Sequence, residues 1–215
     1  MIIAVFQVIA SLIILGLLRI FSRLEMVGIL NLRAVRKPVI IVANHESHLD
    51  PQLLGVVCLN RLGLLPLRYM AKDRFFRIPL FNLLIWLLGA FPARKKQGIE
   101  RSLEIPLRLL RRGQSVIMFP EGRMVVERPK LGEGRRGAAM LALQTGAQIL
   151  PLSLHTPYDL PPLPVSLKRH RIVINVGEPF RLPKGEFASE NEATVFKATK
   201  LIMEKIAELY YQHRY

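Results

Sequence analysis

A chain of 215 residues is long enough to bury the core of one α/β domain and too short for a second full domain to be expected. Apolar residues at 51%, aromatics at 7% and charged residues at 22% exclude a disordered or low-complexity chain. Lysine and arginine number 31 against 16 acidic residues, a formal charge of +15 and a sequence pI near 10.6, so the partners to consider are nucleic acid, an anionic membrane face or phosphorylated substrates.

The first residues, Met1 to Leu18 (MIIAVFQVIASLIILGLL), hold no charged side chain. As a helix rising about 1.5 Å per residue they reach about 27 Å, close to the hydrocarbon thickness of a bilayer. The basic residues Arg19 and Arg23 follow the apolar run instead of preceding it, which favours an uncleaved anchor over a signal peptide. With Arg33, Arg36 and Lys37 they would keep the rest of the chain on the cytoplasmic side, a bacterial inner membrane being the natural setting. Gln7, Ser11 and the short length leave a helix lying in the membrane plane as open as one that spans it. Residues 1–33 are therefore expected to form a membrane-anchoring helical segment and residues 34–215 the functional domain. Within the first segment, Ile20 to Leu32 is spaced for an interfacial helix.

Pro38 to Asn44 (PVIIVAN) is a β-branched run expected as a buried strand. A helix is predicted from Pro51, with Asp50 at its N-cap and Pro51 at its first position. Cys58 lies in an apolar run and reads as a buried core thiol; as the single cysteine it allows no internal disulfide. Ile78 to Phe91 is apolar but too short to span a bilayer, and suits either the lining of a greasy cleft or a buried core helix. Ile99 to Arg112 carries Leu103, Leu107 and Leu110 at helical spacing and stops at Gly113. A strand is predicted over Ser115 to Phe119, then a Pro-Glu-Gly turn, a basic glycine-rich loop, a helix over AAMLALQTG and a strand over AQILPLSL. RHRIVINVGEPF alternates like a later strand, and Ser189 with Glu192 is spaced as a capping box for a closing amphipathic helix. Strands alternating with helices predict an α/β fold with a mostly parallel central sheet flanked by helices.

The chemistry concentrates in Val42 to Asp50, VANHESHLD. His45 and Asp50, five apart, sit about 140° from each other on a regular helix and can meet only across a turn. The strand-to-helix junction supplies one. A carboxylate holding one imidazole nitrogen while the other faces substrate is the base-and-orienter half of a triad. No G-x-S-x-G occurs, so the pair suits a substrate that brings its own hydroxyl. The alternatives are His45, His48 and Asp50 as metal ligands, disfavoured by H-x-x-H spacing, and Asp50 as a mere helix cap. Phe119 to Arg123 (FPEGR) and the cluster Arg94, Lys95 and Lys96 bring basic side chains suited to phosphate.

These blocks resemble the lysophosphatidic acid acyltransferase family of glycerolipid acyltransferases. NHESHLD is similar to the family's N-H-x-x-x-x-D block, AKDRFFRIPLFNLLIWLLGAFPARK to its second, FPEGR to its third and ILPLSL to its fourth. The resemblance implies acyl transfer from acyl-coenzyme A or acyl carrier protein to the sn-2 hydroxyl of lysophosphatidic acid, with no cofactor and no metal. It implies His45 as general base, Asp50 as its orienter, and Glu121, Gly122 and Arg123 around the acceptor. Arg94 or Lys95 would contact phosphate, depending on a one-residue slip in the alignment. Asn44, Pro120 and Pro151 would support the site, Pro151 at a turn or strand end. The third block lacks the usual threonine before arginine, which keeps another lysophospholipid or an amino or sugar lipid open as acceptor. Lysophospholipid, acyl donor and membrane lipids are the expected partners. Nucleic acid is not, because no aromatic-rich RNA motif or zinc-finger spacing accompanies the charge.

Overall fold

The computed structural model describes residues 1–125, 130–156, 170–183, 187 and 191–212. Its helices are α1 Ile2–Phe21, α2 Asp50–Cys58, α3 Phe81–Leu87, α4 Ile99–Arg111, α5 Gly137–Thr145 and α6 Glu192–Gln212. Its strands are β1 Ser22–Val27, β2 Val39–Ala43, β3 Leu67–Ala71, β4 Ala90–Pro92, β5 Ser115–Met118, β6 Gln148–His155 and β7 His170–Val176. Among the described residues they form one sheet in the order β1-β7-β6-β2-β5-β3-β4. The five strands from β6 to β4 are mutually parallel; β7 runs antiparallel to β6, and β1 is parallel to β7. This is the α/β architecture with a mostly parallel sheet that the alternation of elements predicts.

β2 lies in the middle, and its five residues are all buried. A β-branched run suits a strand covered on both faces. Val39, Ile41 and Ala43 point to one layer, made by α1, α2 and Ile85 of α3. Ile40 and Val42 point to the other, made by α4, α5 and α6. Each fully buried branched side chain contributes about 1.5–3 kcal/mol, and Ile41→Ala would cost about 2–5 kcal/mol with its cavity.

α1 rests against α2 with its polar residues turned inward. Gln7 is only 6% exposed; its amide donates to the carbonyls of Leu67 (2.7 Å) and Leu88 (2.7 Å), and its oxygen accepts the Leu67 N–H (2.9 Å). Ser11 faces Gly55, where an added Cβ would fall 2.7 Å from the hydroxyl oxygen. Ile2, Val5, Ile9, Leu12, Ile13 and Ile20 face outward. The helix is long and apolar enough to cross a membrane, yet it is fastened along its inner side to the sheet and α2.

One expectation is corrected here and one open alternative is decided. Ile20 to Leu32 is not an interfacial helix: after α1 it forms β1, then a 3-10 helix over Ile29–Ala34. Leu24 and Met26 alternate inward with Arg23, Glu25 and Val27 outward, a period of two that cross-strand pairing with β7 stabilises; Glu25 accepts both hydrogen bonds of a forked contact from Arg171. The Ile78 to Phe91 stretch is no core helix. α3 buries only Ile85, and Leu80 before it is 85% exposed at a positive φ of 61°.

The closing helix α6 forms as expected, but Ser189 lies outside the described residues and Glu192 is the first residue of the helix. The observed cap is Asn191, whose Oδ1 accepts the Thr194 N–H at 2.8 Å. Cys58 is buried as expected, and burial pushes its thiol up to about 12.

Candidate active site

Three adjacent parallel strands, β6, β2 and β5, release their chains at one edge of the sheet, where α/β proteins commonly bind ligands. His45 follows β2, Phe119 follows β5 and Thr156 follows β6. Asn44 fixes the exit of β2: its side-chain amide donates to the Leu154 carbonyl (2.8 Å) and its oxygen accepts the Leu154 N–H (2.7 Å). A side chain thus continues the β2–β6 ladder by one step while the backbone turns away.

That turn brings His45 and Asp50 together. Nδ1 of His45 is 2.8 Å from Oδ2 of Asp50, a carboxylate with 0% exposure. The same oxygen accepts the amides of Glu46 (2.7 Å) and Ser47 (2.9 Å), and Oδ1 accepts the Ser47 hydroxyl (2.7 Å). Asp50 is therefore not the N-cap of α2. It reaches back to the Ser47 amide ahead of the helix, Ser47 Oγ accepts the Leu49 N–H at 3.2 Å, and Leu49 takes the N-cap position. The imidazole stacks on Phe119, ring centroids 4.3 Å apart and 17° from parallel. With Nδ1 committed to Asp50, Nε2 is the nitrogen left to take a proton from a substrate.

Glu121 holds His45 from behind. It is 3% exposed, and its two oxygens accept the backbone amides of His45 (2.8 Å) and Gly132 (2.8 Å). Burial raises its pKa above the ordinary value, against the lowering effect of those two hydrogen bonds. Its carboxylate shapes the site through the backbone. Gly122 has a φ of 67°, and an added Cβ would meet Cδ of Arg135 at 2.6 Å, so the Arg135 side chain lies across this turn. The Arg135 amide donates to the Pro120 carbonyl (2.7 Å). Arg123, exposed, follows in the same turn.

Arg94 stands at the end of β4 in left-handed backbone, its amide bonded to Asp73 (2.9 Å) and its guanidinium paired with Glu104 (3.1 Å). Lys95 opens the 3-10 turn that follows. Pro151 is not at a turn or strand end. It lies inside β6 opposite Val42 of β2, and its carbonyl accepts the Gly177 N–H at 2.9 Å. His48 is exposed, and among the described residues no three His, Cys, Asp or Glu side chains gather as metal donors.

Sequence reading missed four participants. Phe119 and Arg135 stand inside motifs already singled out, and Ser47-x-x-Asp50 has capping-box spacing that could have been read. Glu46 had no signal: its buried carboxylate accepts the Thr156 amide (3.0 Å) and the hydroxyl of Tyr210 in α6 (2.8 Å), a contact no local pattern announces.

Residues 23–155 match the family model described as Acyltransferase. The chain is 33% identical over 120 residues to a probable 1-acyl-sn-glycerol-3-phosphate acyltransferase of Mycoplasma pneumoniae, covering 55% of this chain and 45% of that protein. It is 27% identical over 173 residues to the 1-acyl-sn-glycerol-3-phosphate acyltransferase of Bacillus subtilis, covering 79% of this chain and 80% of that one. The crystal structure of the 1-acyl-sn-glycerophosphate acyltransferase PlsC from Thermotoga maritima superposes with a TM-score of 0.64 at 25% identity, over 96% of this chain and 78% of that chain. The matches to the Mycoplasma pneumoniae and Mycoplasma genitalium proteins span less than half of those relatives' length, 45% and 44%.

Proposed function

The chain belongs to the acyltransferase family, and from that premise we propose that it transfers a fatty acyl group from acyl-coenzyme A or acyl carrier protein to the sn-2 hydroxyl of lysophosphatidic acid, giving phosphatidic acid. The observation that carries this reading is the His45–Asp50 contact, with the hydroxyl of the same loop, Ser47, donating to Asp50 and not to the imidazole. A base and orienter without a bonded protein nucleophile suit direct attack by the acceptor.

In the proposed step, Nε2 of His45 takes the acceptor's hydroxyl proton as the oxygen bonds to the thioester carbonyl carbon. Asp50 fixes the tautomer and steadies the imidazolium that forms. The tetrahedral intermediate collapses by breaking the carbon–sulfur bond, and the imidazolium returns its proton to the thiolate. Ester and free thiol leave, with no acyl-enzyme and no metal or other cofactor. The acceptor's phosphate meets the guanidinium groups around Gly122, those of Arg123 and Arg135, whose forks suit phosphate oxygens.

Attachment to the membrane is in the plane of the interface. Support comes from the inward polar side of α1, from its outward apolar stripe, and from the exposed apolar side chains Leu80, Leu83, Leu84 and Trp86 around α3 on the same side of the sheet. Arg19, Arg23, Arg33, Arg36 and Lys37, in the last turn of α1 and after it in sequence, suit the anionic lipid headgroups of a cytoplasmic membrane face.

The test follows thiol release from a long-chain acyl-coenzyme A with lysophosphatidic acid by the chain in mild detergent. Acceptor-dependent release is expected, lowered at least about a hundredfold by His45→Ala. Equal release without acceptor would make the protein a thioesterase, and unchanged turnover in His45→Ala would sink the mechanism. A panel of other lysophospholipids and of acyl carrier protein donors then fixes both substrates.

A further inference from the structure

Behind the His45–Asp50 pair lies a second buried layer that the proposed chemistry does not use. Glu46 is 4% exposed, Thr156 0%, His155 3% and Tyr210 3%. The Glu46 carboxylate accepts the Thr156 amide at one oxygen (3.0 Å) and the Tyr210 hydroxyl at the other (2.8 Å). Tyr210 is itself held by stacking on His155, ring centroids 4.5 Å apart and 20° from parallel. Thr156 Oγ1 makes a long contact, 3.5 Å, with Asp50 Oδ1.

Glu46 thus points two ways. Its side chain is fastened to α6 and to the end of β6, while its backbone amide donates to Oδ2 of Asp50 (2.7 Å), the oxygen that also receives His45 Nδ1. The turn carrying His45 is short, so fixing residue 46 fixes the direction of that amide and the place of the carboxylate. We propose that Tyr210, through its hydroxyl contact with Glu46, is a positioning residue for the His45–Asp50 pair, making α6 a working part of the site. The matched family region ends at residue 155, and Tyr210 lies well beyond it in sequence.

The proposal rests on the acyl-transfer reading for its kinetic consequence but not for its structural one, and the test separates the two. Tyr210→Phe keeps the ring that stacks on His155 and removes only the hydroxyl. In the detergent-solubilised full chain, amide hydrogen exchange at Glu46 and Ser47 is expected to quicken about tenfold, with β2 and α2 protected as before. The thiol-release assay is expected to show kcat lowered about tenfold and both KM values unchanged, as when geometry rather than binding is lost. Glu46→Gln, which turns one of the two accepting oxygens into an amide nitrogen, is expected to match it, and the double variant to be no slower than the slower single one.

Unchanged exchange at residues 46 and 47 overturns the proposal. So does protection lost uniformly through β2 and α2, which would make Tyr210 an ordinary packing residue. Absence of acceptor-dependent turnover in the wild type would instead sink the acyl-transfer reading, and the exchange measurement would still decide the positioning role.

Discussion

The ring of His45 lies nearly parallel to that of Phe119, centroids 4.3 Å apart. Asp50 fixes one edge of the imidazole; Phe119 fixes its plane, and the two restraints leave Nε2 a single direction. Phe119→Ala removes the second restraint while leaving the hydrogen bond. The expected outcome is a kcat lowered about tenfold with little change in KM, because misorientation of a reacting group is costly even when every group remains. Steady-state kinetics over both substrates check it.

Asp50→Asn keeps the shape of the loop and changes its hydrogen bonding. The Oδ2 position accepts from His45, from the Glu46 amide and from the Ser47 amide. An amide nitrogen there would face donors, and an amide oxygen there would still lack the charge that steadies an imidazolium. Turnover is expected to fall at least about a hundredfold. The chain should remain folded by circular dichroism, which separates this loss from unfolding.

Glu121 predicts a pH effect on stability. Its pKa is raised in the fold by burial, from an ordinary value of 4.5. The folded chain then holds this proton more tightly than the unfolded chain, so its contribution to stability is fully present below about 4.5 and is lost as pH rises through the folded pKa. Glu121→Gln removes the titration, and also one of the two acceptors serving His45 and Gly132. Melting temperatures measured across this range should therefore slope less with rising pH in the variant than in the wild type.

Arg135→Ala tests the acceptor site. The side chain lies across Gly122 without touching the His45–Asp50 pair in any hydrogen bond among the described residues. KM for lysophosphatidic acid is expected to rise about tenfold with kcat nearly unchanged, the pattern of a lost binding contact. An acceptor without phosphate should not distinguish variant from wild type.

The single thiol gives a check on folding. Cys58 is buried, its pKa pushed up to about 12, and the thiolate is the reactive form. A disulfide reagent should find no thiol in the native chain and one per chain in denaturant. Coenzyme A release can thus be followed without background from the protein.

How much of this could be read in the sequence depended on how local each cause is. NHESHLD and FPEGR sit at strand ends, and a strand end is announced by its own β-branched run. The pairing of His45 with Asp50 needed only a turn. β1 was misread because Arg23 to Val27 satisfies a period of two as well as a looser helical one, and the choice is made by β7, far along the chain. Pro151 was misplaced because proline usually marks an edge or a bend, whereas here β7 pairs with β6 only from Leu152 onward and needs no N–H at position 151. Asp50 as a cap was half right: the carboxylate does bind backbone amides at a helix start, but those of residues before it. Tyr210 belongs to the least legible class, a long-range contact made by one hydroxyl.

The inward turn of Gln7 means that α1 is not a detachable tether. A tether can be cut from its cargo, yet deleting residues 1–21 would uncover α2 and leave the Leu67 amide and the Leu67 and Leu88 carbonyls without their partner. A water-soluble form of the domain is better sought by polar replacement of the outer stripe at Ile9, Leu12 and Ile13, which are all exposed. Trimming the helix would trade one insoluble surface for another.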